Sequence, residues 1–144
     1  EVKKRKLTNL HLPGRFPVDM MPSFMQKASV LLVSLTDKAI FSLTVPNKIQ
    51  AYMASGRPIL AFVNGEGARV VTEAKAGISI PAENTQALVD GILKLYKMTD
   101  FERSVLGENG KEYFEKNYES NFLLEQLIEH FEFSSKIHSN KKYK

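Results

Sequence analysis

The segment Thr44–Phe62 reads TVPNKIQAYMASGRPILAF, and its pattern predicts a short helix, a tight turn and a buried strand. Pro46 suits the first turn of a helix, because its missing N–H would be unpaired there in any case. Gly56 suits a left-handed C-terminal cap, and Pro58 prevents the helix from continuing. The apolar run at 59–63 then has the length of a strand.

A second apolar run precedes this segment and completes a crossover unit. Val30–Ser34 has the composition of a strand, and its continuous apolar character predicts that helices cover both of its faces. Strand, loop, helix, turn and strand together form a βαβ unit, the building block of a parallel sheet. Upstream, the pattern predicts a strand Leu10–Leu12 and a helix Met20–Ala28 capped by Asp19. The expected fold class is therefore α/β, with a doubly wound parallel sheet.

The second half of the sequence is predominantly helical. A helix at 68–75 and a strand at 78–80 are predicted first, and helical spacing begins at Asn84. Thr99 to Glu102 has the form of a capping box, and Ser120 is placed to cap a final helix. That helix has an apolar stripe, which we expect to pack in the core: Phe122, Leu123, Leu127, Ile128 and Phe131.

Composition excludes several classes of protein. The chain has 144 residues, enough for one domain with a sizeable core, and 43% of them are hydrophobic. Cysteine is absent, which excludes a disulfide framework and fits a cytoplasmic location. No apolar run approaches the ~20 residues that span a bilayer, and no signal-peptide pattern begins the sequence. The three histidines are dispersed without metal-ligand spacing.

The formal net charge is +4, and the basic excess lies at the two ends. Lysine and arginine cluster at 3–6 and again from Lys136 to Lys144. Solvated tails are one interpretation, and a basic surface touching the anionic inner face of the plasma membrane is another. Nucleic-acid binding is not expected, because no helix-turn-helix, zinc ligand set or RNA-stacking motif accompanies the charge.

The start of the helix after Pro46 has the features of an anion site. Ser42 and Thr44 supply hydroxyl groups, Lys48 follows about one turn in, and first-turn N–H groups lack helical partners. A helix N-terminus favours a phosphate, and ligands of open α/β sheets bind beyond the carboxyl ends of strands. The alternative is that the hydroxyls only cap the helix and Lys48 points into water. Asp37 and Glu66 are the only carboxylates predicted near this edge.

These segments resemble retaining glycosyltransferases of the GT-B fold, in the large family that includes sucrose synthase and many bacterial cell-surface polysaccharide transferases. The resemblance rests on Pro46-Asn47-Lys48 with Ala51–Pro58, and on the flanking elements Leu12–Arg15, Gly65–Gly67 and Ala76–Ile78. It extends from about Asn9 to Phe131 and implies a Rossmann-like C-terminal, donor-binding half of the fold with C-terminal helices. The implied divisions are a basic segment 1–8, a nucleotide-sugar-binding domain 9–133 and a polar basic tail 134–144.

The resemblance implies an enzyme that transfers a sugar from a UDP- or GDP-linked donor to a glycan or lipid-linked acceptor. No metal or other cofactor is expected. In the family an N-terminal domain holds the acceptor, so this chain alone is expected to be an inactive part of a larger enzyme. The final helix of the family braces that domain, so the alternative for the apolar stripe is that part of it is an interface left uncovered. The alternative is a non-catalytic half that acts as a binding or scaffold subunit. An unrelated response-regulator-like domain is disfavoured, because no acidic cluster follows the first strand.

The resemblance assigns donor-binding residues but no catalytic residue. In the family two glutamates flank the helix start, and here Leu43 and Ala51 occupy their positions. The ribose is then expected to contact Gln50 or backbone; the alternative is that this variant is impaired. Phosphate contacts are implied for Thr44, its neighbours and Lys48. The implied donor-binding set is Gly14, Arg15 and Phe16 beside the base, Ser42, Leu43, Thr44, Asn47, Lys48, Gln50 and Ala51 at the helix start, and Glu66 and Gly67 near the sugar.

Overall fold

The computed structural model describes residues 4–141, with side chains described through residue 134. Its strands are β1 (Leu31–Ser34), β2 (Ile59–Phe62) and β3 (Gly77–Ile80). A 3₁₀ helix, Val18–Met20, precedes α1. The α-helices are α1 (Met21–Lys27), α2 (Ala39–Ser42), α3 (Asn47–Ala54), α4 (Glu66–Glu73), α5 (Thr85–Lys97), α6 (Asp100–Asn117) and α7 (Ser120–Lys141).

The three strands form one parallel sheet in the order β1-β2-β3. Leu31 pairs with Ile59, and Ile59 pairs with Gly77 on its other side, so β2 is the central strand. The connection from β1 to β2 contains α3, and the connection from β2 to β3 contains α4. The predicted βαβ unit and the α/β class are confirmed.

Helices cover the sheet on both faces, as a doubly wound fold requires. Ile59 and Ala61 of β2 belong to the core on the side of α3 and α4, where Ile49 and Val70 are also buried. Leu60, between them in β2, packs in a smaller cluster with Leu95 of α5. Successive strand residues point to opposite faces, so one four-residue strand supplies both clusters.

The turn after α3 has the predicted geometry. Gly56 has a φ of +66°, and its N–H donates a hydrogen bond to the Met53 carbonyl oxygen at 2.9 Å. α6 packs closely against this turn. A Cβ built on Gly107 of α6 would lie only 2.1 Å from the Gly56 carbonyl oxygen. The left-handed glycine therefore ends α3, and the missing side chain of Gly107 lets α6 approach this turn.

Two of the predicted helix starts are confirmed. The Asn84 side chain accepts a hydrogen bond from the Ala87 N–H at 3.0 Å at the start of α5. Thr99 and Glu102 form the reciprocal capping box of α6. Accepting hydrogen bonds from the backbone and hydroxyl of Thr99 lowers the pKa of the Glu102 carboxyl.

Three local predictions in the chain were wrong. Leu10–Leu12 is exposed and forms no strand. Asp19 does not cap α1, because it lies inside the 3₁₀ helix that leads into α1. Ser120 does not cap α7 either, since the Glu119 carboxylate accepts from the Asn121 and Phe122 N–H groups. Short apolar or polar signals of this kind are easily overridden by neighbouring residues that compete for the same backbone groups.

The predicted cover of two apolar surfaces was also wrong. Leu32 of β1 is 48% exposed, because it lines the open groove beside α5, whose Leu95 packs on Leu60 of β2 instead. The stripe of α7 is exposed as well, with Phe131 at 66% and Ile128 at 56%. Periodicity identifies the apolar face of a helix but not the element that covers it.

The basic ends are described only in part. Lys4, Arg5 and Lys6 form an exposed turn, whereas residues 1–3 and 142–144 lie outside the described part of the chain. α7 continues to Lys141, through most of the segment 134–144 predicted as a polar tail. Among the described residues no helix is long and apolar enough to cross a bilayer. Membrane contact through the basic ends stays a prediction.

The core that holds α3 gives a first prediction. Ile49 is fully buried, so Ile49→Ala is expected to lower the free energy of unfolding by about 2 to 5 kcal/mol through lost burial and a cavity. Ile40→Ala is the matched control, because Ile40 is 68% exposed and should change stability by less than about 0.5 kcal/mol. Urea unfolding of both variants measures the difference. Equal losses would contradict this placement of α3.

Candidate functional site

The carboxyl ends of the three strands meet at one edge of the sheet. Three connections leave this edge, at 35–46 after β1, 63–65 after β2 and 81–84 after β3. The first of them contains α2 and leads into α3. Ligands of open α/β sheets bind at such an edge, so we take it as the candidate site.

Two hydrogen bonds tie the third connection to the other two. The Asp37 N–H donates to Oε1 of Glu83 at 3.2 Å, across 46 positions of sequence. The Ala82 N–H donates to Oδ1 of Asn64 at 3.0 Å. Each bond joins a side chain of one connection to the backbone of another, so the edge is cross-linked.

A close backbone contact joins the second connection to the first. Gly65 has φ +68° and ψ −140°, a conformation that L-residues rarely adopt. A Cβ built on Gly65 would lie 2.0 Å from the carbonyl oxygen of Ser42 and 2.5 Å from its Cα. The end of α2 therefore rests directly on the turn that starts α4.

The first turn of α3 lies within this edge and has no side-chain cap. The Ile49 N–H donates to the Pro46 carbonyl oxygen at 2.9 Å. The N–H groups of Asn47 and Lys48 have no acceptor among the hydrogen bonds described for residues 4–134. Lys48 is exposed and takes part in none of the ion pairs described there. Two uncapped amides and a cation thus share one helix start, which is the chemistry that an anion requires.

The alternative that the Ser42 and Thr44 hydroxyls only cap α3 is wrong, because α3 has no side-chain cap. The Ser42 hydroxyl donates to the Ala39 carbonyl oxygen at 2.8 Å, and the Thr44 hydroxyl donates to the Ile40 carbonyl oxygen at 3.4 Å. Both bonds point back into α2, because α2 ends at Ser42 and leaves its last carbonyls without helical partners. Their contact with a phosphate stays a prediction.

Leu43 and Ala51 occupy the positions of the family's two glutamates, and Gln50 is the side chain expected to contact the ribose. These three side chains differ in exposure. Leu43 is 78% exposed and Ala51 is exposed, so neither carries a polar group into the site. Gln50 is half-buried in the first half of α3. The contact of Gln50 with a ribose stays a prediction.

Glu66 and Gly67 lie in the first turn of α4, which begins at Glu66 rather than at 68 as predicted. Both oxygens of the Glu66 carboxylate accept from Nε of Arg69, at 2.9 and 3.2 Å. Gly67 is buried, and a Cβ there would lie 3.1 to 3.2 Å from the side chains of Pro46, Ile49 and Val63. Gly67 thus allows α3 and α4 to pack closely, and the contact of Glu66 and Gly67 with the donor sugar stays a prediction.

The Glu66 carboxylate belongs to a surface network that reaches α6. Arg69 also pairs with Glu73, and the Tyr113 hydroxyl donates to Oε1 of Glu73 at 3.1 Å. The hydrogen bond and charge of Glu66 raise the pKa of Arg69. Burial, followed by the bond to Glu73, raises the pKa of the Tyr113 hydroxyl. The first turn of α4 is therefore held by charge pairing on its outer side.

The residues predicted to contact the base lie outside the three connections that form this edge. Gly14, Arg15 and Phe16 belong to an exposed irregular segment. The ring of Phe16 packs against Phe24 of α1, with centroids 4.7 Å apart. Phe16 therefore lies against α1, whereas the contacts of Gly65 and Gly67 bring the end of α2, the start of α3 and the start of α4 together.

Two side chains of the site escaped the sequence interpretation. Asn64 lies two residues after β2 and Glu83 lies three residues after β3, at the edge where ligands of such sheets bind. Asp37 and Glu66 are therefore not the only carboxylates at this edge. The sequence gives little indication that Glu83 lies in a tight turn at this edge, because glycine or asparagine, not glutamate, is the usual residue at a φ of +63°.

Two further cavities lie away from this edge. A polar cavity of about 610 Å³ at the amino ends of the strands is lined in part by Gly56, Arg57 and Lys111. An apolar groove of about 450 Å³ runs beside β1 and α5, lined in part by Leu32 and Tyr96. No group of three or more metal-ligating side chains is found within the described residues.

Comparison with known proteins gives one family. The model of the family described as "Glycosyl transferases group 1" matches residues 1–98. A protein of Methanocaldococcus jannaschii named as an uncharacterised glycosyltransferase is 31% identical over 115 residues, which cover 80% of this chain. The match covers 31% of that protein's length, so the chain spans about a third of this relative. No solved structure matches the chain.

The network on α4 gives a prediction about pH. The pKa of Tyr113 lies above its ordinary value of 10.0 in the folded chain, so its stabilising contribution is present below that pH and is lost as the pH rises through the folded pKa. Glu73→Gln should move the pKa of Tyr113 down but not fully to 10.0, because burial remains.

Carbon-13 NMR of the tyrosine rings during alkaline titration measures this pKa. Glu112→Gln is the control, since Glu112 pairs with Lys116 and is not among the groups that shift Tyr113. An unchanged Tyr113 pKa in Glu73→Gln would contradict the described network.

Proposed function

The chain belongs to the glycosyl transferases group 1 family, and from this premise we propose that it forms the donor-binding part of a retaining glycosyltransferase. The donor is a UDP- or GDP-linked sugar, and the acceptor is a glycan or a lipid-linked glycan. One observation carries the assignment of the donor site: α3 begins uncapped at the carboxyl edge of the sheet, with exposed Lys48 in its first turn.

The proposed role of α3 is to hold the diphosphate of the donor. The N–H groups of Asn47 and Lys48 and the ammonium group of Lys48 offer hydrogen-bond donors and positive charge within one helical turn. During transfer the bond between the anomeric carbon and the diphosphate oxygen breaks, the acceptor hydroxyl oxygen bonds to that carbon, and the hydroxyl proton passes to the leaving diphosphate. Negative charge grows on the leaving diphosphate, and groups fixed in place before the reaction stabilise it most effectively.

The nucleoside contacts in this proposal come from two places. Gln50 is half-buried on α3 and can hydrogen-bond the ribose, in place of an acid at Ala51. Arg15 and Phe16 border the base, and the ring of Phe16 packs on Phe24 of α1. A neutral amide holds hydroxyls by weaker hydrogen bonds than a carboxylate, so we expect weaker nucleotide binding than an acidic residue would give.

We also propose that further polypeptide, including an acceptor-binding N-terminal domain, completes the enzyme. The chain spans 31% of the length of its archaeal relative. Two exposed apolar surfaces support the proposal: the groove beside β1, where Leu32 is 48% exposed, and the stripe of α7. Apolar surfaces of this kind are usually covered by another element or chain. The residues described here are then not expected to transfer sugar by themselves.

A scaffold subunit without catalysis is not favoured. Both the family and the archaeal relative are named for glycosyl transfer. Surface-polysaccharide synthesis is the setting that we propose for the enzyme, on the resemblance of the α3 segment alone.

Titration with nucleotides tests the donor site. Ligand-detected NMR with UDP, GDP and ADP should show selective binding of one nucleoside diphosphate. Lys48→Ala should raise the Kd for that ligand by about tenfold, the effect of losing one charge-assisted hydrogen bond to phosphate. Lys94→Ala is the control, because Lys94 is an exposed lysine of α5 remote in sequence from the edge connections. Equal affinity in the wild type and Lys48→Ala would overturn the assignment of phosphate to α3.

A further inference from the structure

We propose that Gly65 and Glu83 are positioning residues of the donor site, which fix the connection 35–46 and thereby the start of α3. Neither is in the donor-binding set above, and the inference rests on the proposed function. Three observations support it: the weak burial of this connection, the backbone contact at Gly65, and the hydrogen bond of Glu83.

The middle of the connection is poorly anchored by burial. α2 has four residues and none of them is buried, while Ile40 and Leu43 are mostly exposed. Only the two ends pack against the core, through Leu35 and Val45. A segment with so little buried apolar area would open locally unless polar or steric contacts held it.

Gly65 supplies the steric contact. The backbone of Ser42 occupies the space that any side chain at Gly65 would need, with the Ser42 carbonyl oxygen 2.0 Å from a built Cβ. Because the obstacle is backbone and not a flexible side chain, a larger residue has to push the end of α2 away. That displacement would be passed on to Pro46, the residue from which α3 starts.

Glu83 supplies the polar contact at the other end of α2. Its carboxylate accepts the Asp37 N–H, two residues before α2 begins. The backbone of Glu83 has a φ of +63°, which is unfavourable for a residue with a Cβ. The adjacent bond from the Ala82 N–H to Asn64 holds that conformation in place. A strained residue retained at a ligand edge is a recurrent sign of a functional constraint.

Both contacts act on the site without touching the donor. They fix the connection on either side of α2, and the connection determines where the N–H groups of Asn47 and Lys48 lie. A site that is fixed before binding loses less entropy when the ligand arrives. Loosening either contact should therefore weaken nucleotide binding even though Lys48 is intact.

The test pairs two readouts on five proteins: the wild type, Gly65→Ala, Gly56→Ala, Glu83→Ala and Glu83→Gln. The readouts are amide hydrogen exchange over residues 36–48 and the Kd of the nucleotide that the wild type binds. Gly56→Ala is the matched control, because Gly56 has a similar φ of +66° but only the Lys111 Cδ, at 3.9 Å, near a built Cβ. Glu83→Gln keeps an acceptor oxygen for the Asp37 N–H.

We expect Gly65→Ala and Glu83→Ala to raise exchange over 36–48 by tenfold or more and to raise the Kd by about tenfold. Gly56→Ala should leave both readouts at the wild-type values, and Glu83→Gln should restore most of the binding lost in Glu83→Ala. If Gly65→Ala does not fold, the Glu83 pair decides alone. Wild-type exchange and Kd in Glu83→Ala or in folded Gly65→Ala would overturn the positioning role of that residue while leaving the proposed function intact. A wild type that binds no nucleotide would overturn the proposed function, and the donor-site role with it.

Discussion

The burial of β2 is the constraint on which the rest of the structure depends. Ile59 and Ala61 are fully buried on one face and Leu60 is nearly so on the other, so the strand needs a helix layer on each side and a strand on each edge. α3 and α4 satisfy the first face and α5 the second. Because the strands are parallel, this arrangement sends every connection that follows a strand to the same edge.

That edge cannot be stabilised in the way the core is. Its connections are short and largely exposed, so burial contributes little, and their positions depend on a few directed contacts. The bonds of Asp37 to Glu83 and of Ala82 to Asn64, together with the backbone contact of Gly65 with Ser42, link all three connections. A rigid edge with an uncapped helix start is suited to binding an anion whose charge grows during reaction.

The elements that the sequence predicted correctly are those with local physical causes. Pro46, Gly56 and Pro58 restrict the backbone directly, and Thr99 with Glu102 forms a capping box within four residues, so α3, β2 and α6 could be located without tertiary information. The family could also be anticipated, because its motif lies in that same local segment.

The remaining features depend on contacts between distant residues. The Gly65 contact with Ser42 and the reach of Glu83 to Asp37 appear only when the sheet brings three strand ends together. The exposure of the α7 stripe and of Leu32 likewise depends on what lies beside them, which periodicity does not encode. The alternative that Thr44 caps α3 was wrong for a local reason, because its hydroxyl donates backward to the Ile40 carbonyl oxygen of α2.

Amide chemical-shift mapping of the chain with the nucleoside diphosphate that it binds best tests most directly whether the donor diphosphate binds at α3. We expect the largest chemical-shift changes at Asn47 and Lys48, at the start of α3. If the largest changes fall instead at Ser55 to Arg57, beside the polar cavity at the opposite edge of the sheet, and Asn47 and Lys48 do not change, the donor site is not at the start of α3.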